Sequence, residues 1–126
     1  GLVMHPVILA GVTNQMEISQ TEIFGPVALI LKVSDEEEAL RVANETEFGL
    51  SSAVFSKNLA RGYAFAERIE AGMTHVNDMT INDEASSPFG GEKNSGIGRF
   101  GGEWALREMT TDHWITVQET DRRYLF

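Results

Sequence analysis

One continuous apolar run, VALILKV at residues 27–33, constrains the fold of this chain more than any other feature. A strand with one face in water alternates apolar and polar residues, whereas a strand covered on both faces in a parallel sheet is apolar throughout. The pair Gly25-Pro26 marks the entry of the run, because proline favours an extended conformation in the residue before it. The run therefore predicts a buried strand of a parallel sheet.

Helical and strand patterns then alternate along the chain. A capping box at Ser34 and Glu37, with Asp35 and Glu36 at the positive end of the helix dipole, predicts a helix that Gly49 ends.

The second half of the pattern repeats the first. SSAVFS at residues 51–56 predicts a second strand, Asn58 and Gly72 bound a second helix, and MTHVN at residues 73–77 predicts a third strand. Short connections in this order imply parallel pairing with right-handed crossovers. The predicted fold class is α/β, with a parallel βαβαβ open sheet and flanking helices.

Three further segments lie outside this frame. VILAGV near the N-terminus resembles a strand, EWALREM at residues 103–109 a short helix, and HWITVQ, from His113 to Gln118, a final strand. A long glycine-rich loop at residues 78–102 follows the third predicted strand and precedes the short helix. A loop of this length in a compact domain is usually functional or part of an interface.

Composition excludes several classes of partner. Ten Lys and Arg against nineteen Asp and Glu give a net charge of -9, which repels nucleic acid and anionic membranes. The absence of cysteine excludes a disulfide framework and a cysteine nucleophile within the chain. With no signal peptide and no apolar run of membrane-spanning length, we expect a cytoplasmic protein. The start at Gly1 suggests an internal piece of a longer polypeptide or a tag remnant.

The stretch GIGRFG, from Gly96 to Gly101, matches the spacing G-x-G-x-x-G of dinucleotide-binding turns. That role needs a strand directly before the glycines, and the preceding PFGGEKNS has no strand pattern. A loop whose glycines permit positive φ and close backbone packing is the favoured interpretation, and the nucleotide cradle is the weaker alternative.

The larger pattern PFGGEKNSGIGRFGG resembles the signature P-F-G-G-x-K-x-S-G-x-G-R-x-x-G of the NAD(P)-dependent aldehyde dehydrogenase family at every fixed position. TEIFGPV is similar to the family's E-x-F-G-P-V segment, and the pairs A-N, G-L, V-F, A-G and V-N follow in family order. The resemblance runs from about residue 5 to about residue 118. Within the family, residues 74–91 are most similar to the branch that handles aromatic aldehydes, although an aliphatic aldehyde or a semialdehyde remains open.

This resemblance implies that residues 1–111 form the C-terminal part of the catalytic domain and that residues 112–126 form an oligomerisation strand and tail. The family oxidises aldehydes to carboxylic acids with NAD or NADP, through a cysteine thiolate and a glutamate base that both lie upstream of the matched segment. We therefore expect no catalytic residue here, no activity of the chain alone and no tight cofactor binding by it.

The resemblance also implies binding residues. Glu22 and Phe24 match positions that hold the nicotinamide-side ribose, and Phe89 matches a position lining the aldehyde tunnel. The loop carrying Ile81 and Asp83 corresponds to the tunnel mouth. The alternatives are a solvent-facing glutamate for Glu22 and core packing for the two phenylalanines.

Other polar residues predict no metal site. His5, His75 and His113 lack metal-ligand spacing and are interpreted as packing or surface residues. The acidic run at residues 35–38 is interpreted as a solvated, dipole-complementing helix turn, and Lys93 as a structural salt-bridge partner or an exposed side chain.

Assembly is the last expectation. The resembled family ends in a strand that joins a neighbouring subunit, so His113 to Gln118 predicts a homo-oligomer, against the alternative of a strand folded back on its own sheet. A stand-alone binding or assembly module with the same fold is the alternative to an enzyme fragment.

Overall fold

The computed structural model describes residues 1–124, so the last two positions of the predicted tail lie outside the described residues. Six strands and four helices follow in mixed order through this part of the chain. They are β1 (Val7–Ala10), α1 (Glu17–Gln20), β2 (Val27–Ile30), α2 (Glu36–Asn44), β3 (Phe48–Gly49), β4 (Ser51–Val54), α3 (Leu59–Ala66), β5 (Met73–Val76), β6 (Glu92–Lys93) and α4 (Gly102–Glu108).

The α/β fold class is confirmed, with two parallel pairings. β4 and β5 pair in parallel from Ser51 opposite Met73 to Val54 opposite Val76, and α3 forms the crossover between them. β1 and β2 pair in parallel as well. Because parallel neighbours need a crossover of a dozen or more residues, the α3 helix is the element that makes the β4–β5 pair possible.

The sheet is divided more finely than the predicted single βαβαβ sheet. Within the described residues there are three two-stranded sheets, β1-β2, β4-β5 and the antiparallel β3-β6. β2 pairs with β1 and not with β4. The sequence pattern had specified strand direction and order, but it did not specify which strand edges meet.

Burial along β2 also differs from the prediction. Residues in β1 and β2 alternate between half-buried and exposed, and Ile30 on the open face of β2 is 51% exposed. Leu40 of α2, at 8% exposed, is the one apolar side chain that is buried among residues 1–124. One face of β2 is therefore uncovered by any described residue, although its apolar sequence suits a strand covered on both faces.

The cap of α2 lies one residue beyond the predicted box at Ser34 and Glu37. Asp35 is the N-cap, and its side chain accepts a hydrogen bond from Glu38 N at 2.8 Å. The Glu38 carboxylate in turn accepts from the backbone N and the hydroxyl of Ser34, both at 2.7 Å. These bonds, the backbone one foremost, lower the pKa of Glu38. A carboxylate is favoured over a hydroxyl here because its charge complements the helix dipole.

The remaining acidic residues of the α2 turn are paired with α3 and the turn after it. Arg61 lies 2.7 Å from Glu36, and Arg68 lies 2.6 Å from Glu37. The hydrogen bond from Arg68 and the charge of its guanidinium lower the pKa of Glu37. The same hydrogen bond and the negative charge of Glu37 raise the pKa of Arg68. The acidic run is thus a dipole-complementing turn, as the sequence indicated, and its ion pairs with Arg61 and Arg68 are an addition from the structure.

Two asparagines of the family motif tie α3 and its flanking strands together. Asn77 accepts from Ser56 N at 2.7 Å and donates to Ser56 O at 2.8 Å, which prolongs the β4–β5 pairing beyond its last strand residues. Asn44 donates to Arg68 O and accepts from Glu70 N, both at 2.9 Å. Each amide side chain therefore donates one hydrogen bond to a backbone carbonyl and accepts one from a backbone N–H, as a peptide group would.

The C-terminal segment at residues 110–124 contains no strand, and its side chains are exposed. Trp114 is 90% exposed, and Ile115 and Val117 are exposed as well. HWITVQ does not fold back on a sheet of its own chain, and its pairing across subunits stays a prediction. None of the described helices has the length and apolar character to cross a membrane.

Candidate functional site

The signature loop, which we define as residues 88–102, is closed at its base by two phenylalanines. Phe89 and Phe100 exchange both backbone hydrogen bonds, at 2.8 and 2.9 Å. Their rings lie 5.4 Å apart between centroids and are tilted by 56°. Such a tilted aromatic pair adds packing energy to the backbone bridge. Phe89 therefore fixes the loop, which is the packing role that the sequence left open for it.

Glycines in and beside the signature loop let the backbone approach itself. A Cβ at Gly72 would lie 1.8 Å from Gly90 O, and one at Gly101 would lie 2.1 Å from Ser87 O. Gly101 also has a φ of 104°, a conformation that side chains rarely adopt. The structure supports the packing interpretation of GIGRFG over a nucleotide cradle, because these glycines contact the chain's own backbone.

Lys93 binds the C-terminal end of α2. Its Nζ donates to Asn44 O at 2.5 Å and to Thr46 O at 3.1 Å, and it lies 2.9 Å from a carboxylate oxygen of Glu70. A cation at this position complements the negative end of the helix dipole and satisfies its last carbonyls. The structural role predicted for Lys93 is confirmed.

Two further polar residues hold the signature loop, and sequence reasoning did not single them out. Arg99 donates to Gly91 O and Gly98 O, both at 2.9 Å, and pairs with Glu92. Ser95 accepts from Gly49 N through its hydroxyl at 2.8 Å. Both Arg99 and Ser95 occupy fixed positions of the family signature, and that was the sequence signal by which they could have been identified.

Glu22, one of the two predicted cofactor residues, lines a cavity of about 570 Å³. The same cavity is lined by Asn94 and Ser95, so it connects the E-x-F-G-P-V segment to the signature loop. The carboxylate of Glu22 makes no hydrogen bond or ion pair with any of residues 1–124 and remains free to accept from a ligand.

Phe24, the other predicted cofactor residue, is 92% exposed and has a φ of 50°. A positive φ interrupts an extended segment, so strand alternation does not place the side chains of Glu22 and Phe24 on one face. A bulky residue in this region is rare, and such strain is concentrated at functional sites.

The predicted substrate residues fall in a second region. A cavity of about 440 Å³ lies between β5 and the loop that follows it, and both Asp83 and Phe89 line it. Ile81 does not line this cavity and is 84% exposed. The structure therefore brings Asp83 and Phe89 together and leaves Ile81 outside.

His75 lines the same cavity, although its sequence pattern indicated only a packing or surface residue. Its Nε2 atom is closed off from solvent and has no hydrogen-bond partner within residues 1–124. Among these residues there is also no group of three or more metal-ligating side chains placed to hold a metal ion.

The comparison with known families decides the identity of the fold. The model of the aldehyde dehydrogenase family matches residues 1–115. The chain belongs to the aldehyde dehydrogenase family. Among curated members, it is 55% identical to a benzaldehyde dehydrogenase of Bacillus subtilis over 98% of this chain. It is 50% identical to a vanillin dehydrogenase of Corynebacterium glutamicum over 95% of this chain.

Solved structures of aldehyde dehydrogenases have the same fold. A salicylaldehyde dehydrogenase from Pseudomonas putida G7, complexed with salicylaldehyde, superposes with a TM-score of 0.89 at 39% identity over 94% of this chain and 25% of that chain. A Mycobacterium tuberculosis aldehyde dehydrogenase complexed with NAD+ superposes with a TM-score of 0.78 at 38% identity, over 82% of this chain and 21% of that chain. The similarity to the aromatic-aldehyde branch is confirmed.

The chain spans about a quarter of the length of these relatives, 26% of the Bacillus protein and 25% of the Corynebacterium protein.

Proposed function

We propose that this chain is the C-terminal part of the catalytic domain of an enzyme that oxidises an aromatic aldehyde to its carboxylic acid with NAD or NADP. Residues 1–111 supply the domain part, and residues 112–126 supply an oligomerisation strand and tail. The aromatic substrate is supported by the 55% and 50% identity to benzaldehyde and vanillin dehydrogenases. The enzyme acts in the cytoplasm.

The cavity beneath the loop after β5 is the observation that carries the proposal. Phe89 offers a ring against which an aromatic aldehyde packs, and Asp83 offers a polar group at the same cavity. A volume of about 440 Å³ lies within the range of small-molecule sites. Ile81 is exposed on the loop after β5 and contributes an apolar contact at the mouth of the cavity.

The cofactor is held on the other side of the signature loop, through Glu22 and Phe24. A carboxylate accepts hydrogen bonds from two vicinal hydroxyls, and the Glu22 carboxylate has no competing partner within residues 1–124. The nicotinamide, when bound, accepts a hydride from the substrate. Glu22 and the exposed ring of Phe24 orient the ribose and do not take part in that step.

The 126-residue chain alone is inactive. It contains no cysteine, so it cannot supply the thiolate that attacks the aldehyde. It also binds NAD weakly, because a dinucleotide is held mainly at a helix N-terminus and an adenine cleft that two ribose contacts do not replace.

The test uses the enzyme that contains this chain, with benzaldehyde as substrate and NAD reduction followed by absorbance. Glu22→Gln removes the charge that strengthens both hydroxyl contacts, so kcat/KM for NAD is expected to fall about ten-fold. Glu17→Gln is the matched control, since Glu17 is exposed on α1 and lines neither cavity.

Two results would contradict the proposal. Unchanged kinetics in Glu22→Gln would remove the cofactor assignment. An enzyme that oxidises no aromatic aldehyde would favour the alternative of a binding or assembly module with this fold.

A further inference from the structure

His75 faces the loop side of β5. Side chains alternate along a strand, and the neighbours of His75 face the opposite side. The Thr74 hydroxyl lies 2.7 Å from the Ser52 hydroxyl, and Val76 Cγ1 lies 3.1 Å from the position of a Cβ on Gly62 of α3. Met73 and His75 are thus directed away from α3 and line the cavity under the loop.

The imidazole of His75 lacks a partner that the cavity wall can supply. Its Nε2 is enclosed and unpaired within residues 1–124, which is unfavourable for a polar atom. The same cavity is lined by Asp83 and Glu84, and neither carboxylate has a hydrogen bond or ion pair in the described chain. An unpaired imidazole and two unpaired carboxylates therefore lie around one cavity.

The backbone of the loop is anchored around these residues, whereas the two carboxylates are unpaired. Ser51 donates its hydroxyl hydrogen to Thr80 O at 2.7 Å, and Gly102 N donates to Ala85 O at 2.9 Å. Between the two anchors, Asn82 makes one side-chain bond to Asp78 at 2.8 Å, and Glu84 O accepts from Ser87 N at 2.9 Å. We call residues 81–84 the loop tip. The tip lies over the cavity that His75 also lines.

We propose that His75 is a positioning residue of the aldehyde site. Its imidazole hydrogen-bonds the carboxylate of Asp83 or Glu84 when the aldehyde is bound, and this bond fixes the loop tip against the substrate ring. The proposal rests on the proposed function, because it requires the cavity lined by Phe89 to be the aldehyde-binding site. His75 acts through the tip and does not contact the reacting atoms.

The experiment compares His75→Phe with His75→Gln in the enzyme that contains this chain. Phenylalanine fills the space without a polar atom, so KM for benzaldehyde is expected to rise about five-fold, the effect of one lost hydrogen bond. Glutamine keeps a polar group and is expected to restore most of the affinity. KM for NAD and kcat/KM for acetaldehyde, which is too small to need the tip, stay unchanged.

Asp83→Ala and Glu84→Ala complete two double-mutant cycles with His75→Phe. One of them is expected to reproduce the five-fold rise alone and to add nothing in the double variant, because both changes remove the same bond. Both carboxylates are exposed, so these variants fold even if His75→Phe does not.

Normal benzaldehyde KM in both carboxylate variants would overturn the inference. Equal losses for benzaldehyde, acetaldehyde and NAD in His75→Phe would also overturn it, because they would show a merely structural role. A wild-type enzyme inactive on every aldehyde would be a separate result, which removes the proposed function and this inference with it.

Discussion

The signature loop at residues 88–102 and the C-terminal segment at residues 110–124 are equally long, and neither contains a long helix or strand. The signature loop is nevertheless joined to its own chain at many points, through Phe89, Lys93, Ser95 and Arg99. In the C-terminal segment, the described contacts beyond Thr110 are local, such as the bond from Gln118 to Thr120 O at 2.7 Å.

The difference shows that a segment without regular secondary structure can either pack against its own chain or stay exposed. Where glycines remove the Cβ, the loop backbone packs against its own chain and satisfies its polar groups there. Where exposed Trp114, Ile115 and Val117 meet unpaired backbone, the segment needs another surface to cover it. The first region is held by contacts within the chain, and the assembly role of the second stays a prediction.

The largest expected effect comes from Gly101→Ala. Its Cβ would lie 2.1 Å from Ser87 O, which is backbone and cannot rotate away, and the φ of 104° is strained for alanine. We expect the free energy of unfolding to fall by about 3 kcal/mol or more, measured by urea titration of the chain.

Gly25→Ala is the control for that prediction. Its Cβ would meet Ile23 at no less than 3.6 Å, an ordinary contact, so the change is expected to stay within about 0.5 kcal/mol. Similar losses in both variants would show that close backbone packing does not stabilise the signature loop.

A medium effect is expected for Ser95→Ala. The substitution leaves the half-buried Gly49 N without its acceptor at 2.8 Å, which costs about 1 kcal/mol of unfolding free energy by urea titration. Ser86→Ala is the matched control, because Ser86 is exposed and its hydroxyl makes no hydrogen bond in the described chain. Equal stability of the two variants would contradict the anchoring role of Ser95.

The smallest effect on the chain's own stability is expected from ending it at Thr111. Residues 112–124 are exposed, so the unfolding free energy of the monomer at low concentration should change by less than about 0.5 kcal/mol. Light scattering should nevertheless show that association is lost, because His113 to Gln118 is removed.

A chain ended at Gln118 keeps the predicted strand and should associate like the full chain. If the chain ended at Thr111 stays equally associated, another surface joins the subunits.

Several local features were predictable from sequence because they depend on near neighbours. The crossover helix begins after the predicted N-cap Asn58, whose side chain accepts from Arg61 N at 3.1 Å. The N-cap of α2 lies one residue beyond the predicted Ser34, because Asp35 competes with Ser34 for the N-cap position. The short antiparallel pair of β3 and β6 was missed, since two-residue strands carry no period to detect.

The candidate site was predictable only in part. The family motif identified Asp83 and Phe89, which the structure places on one cavity. The motif did not indicate the enclosed Nε2 of His75, because its burial depends on how distant segments cover it. The motif letters did not indicate the positive φ of Phe24 either.

The sequence by itself determined the α/β class, the order of strands and helices and the family, because periodicity, caps and motif letters are local properties of the chain. Only the tertiary structure decided that β2 pairs with β1, that Glu22 shares a cavity with the signature loop, and that His75 lies beneath the loop tip. These facts depend on which edges and faces meet in space, and many pairings satisfy the same local pattern.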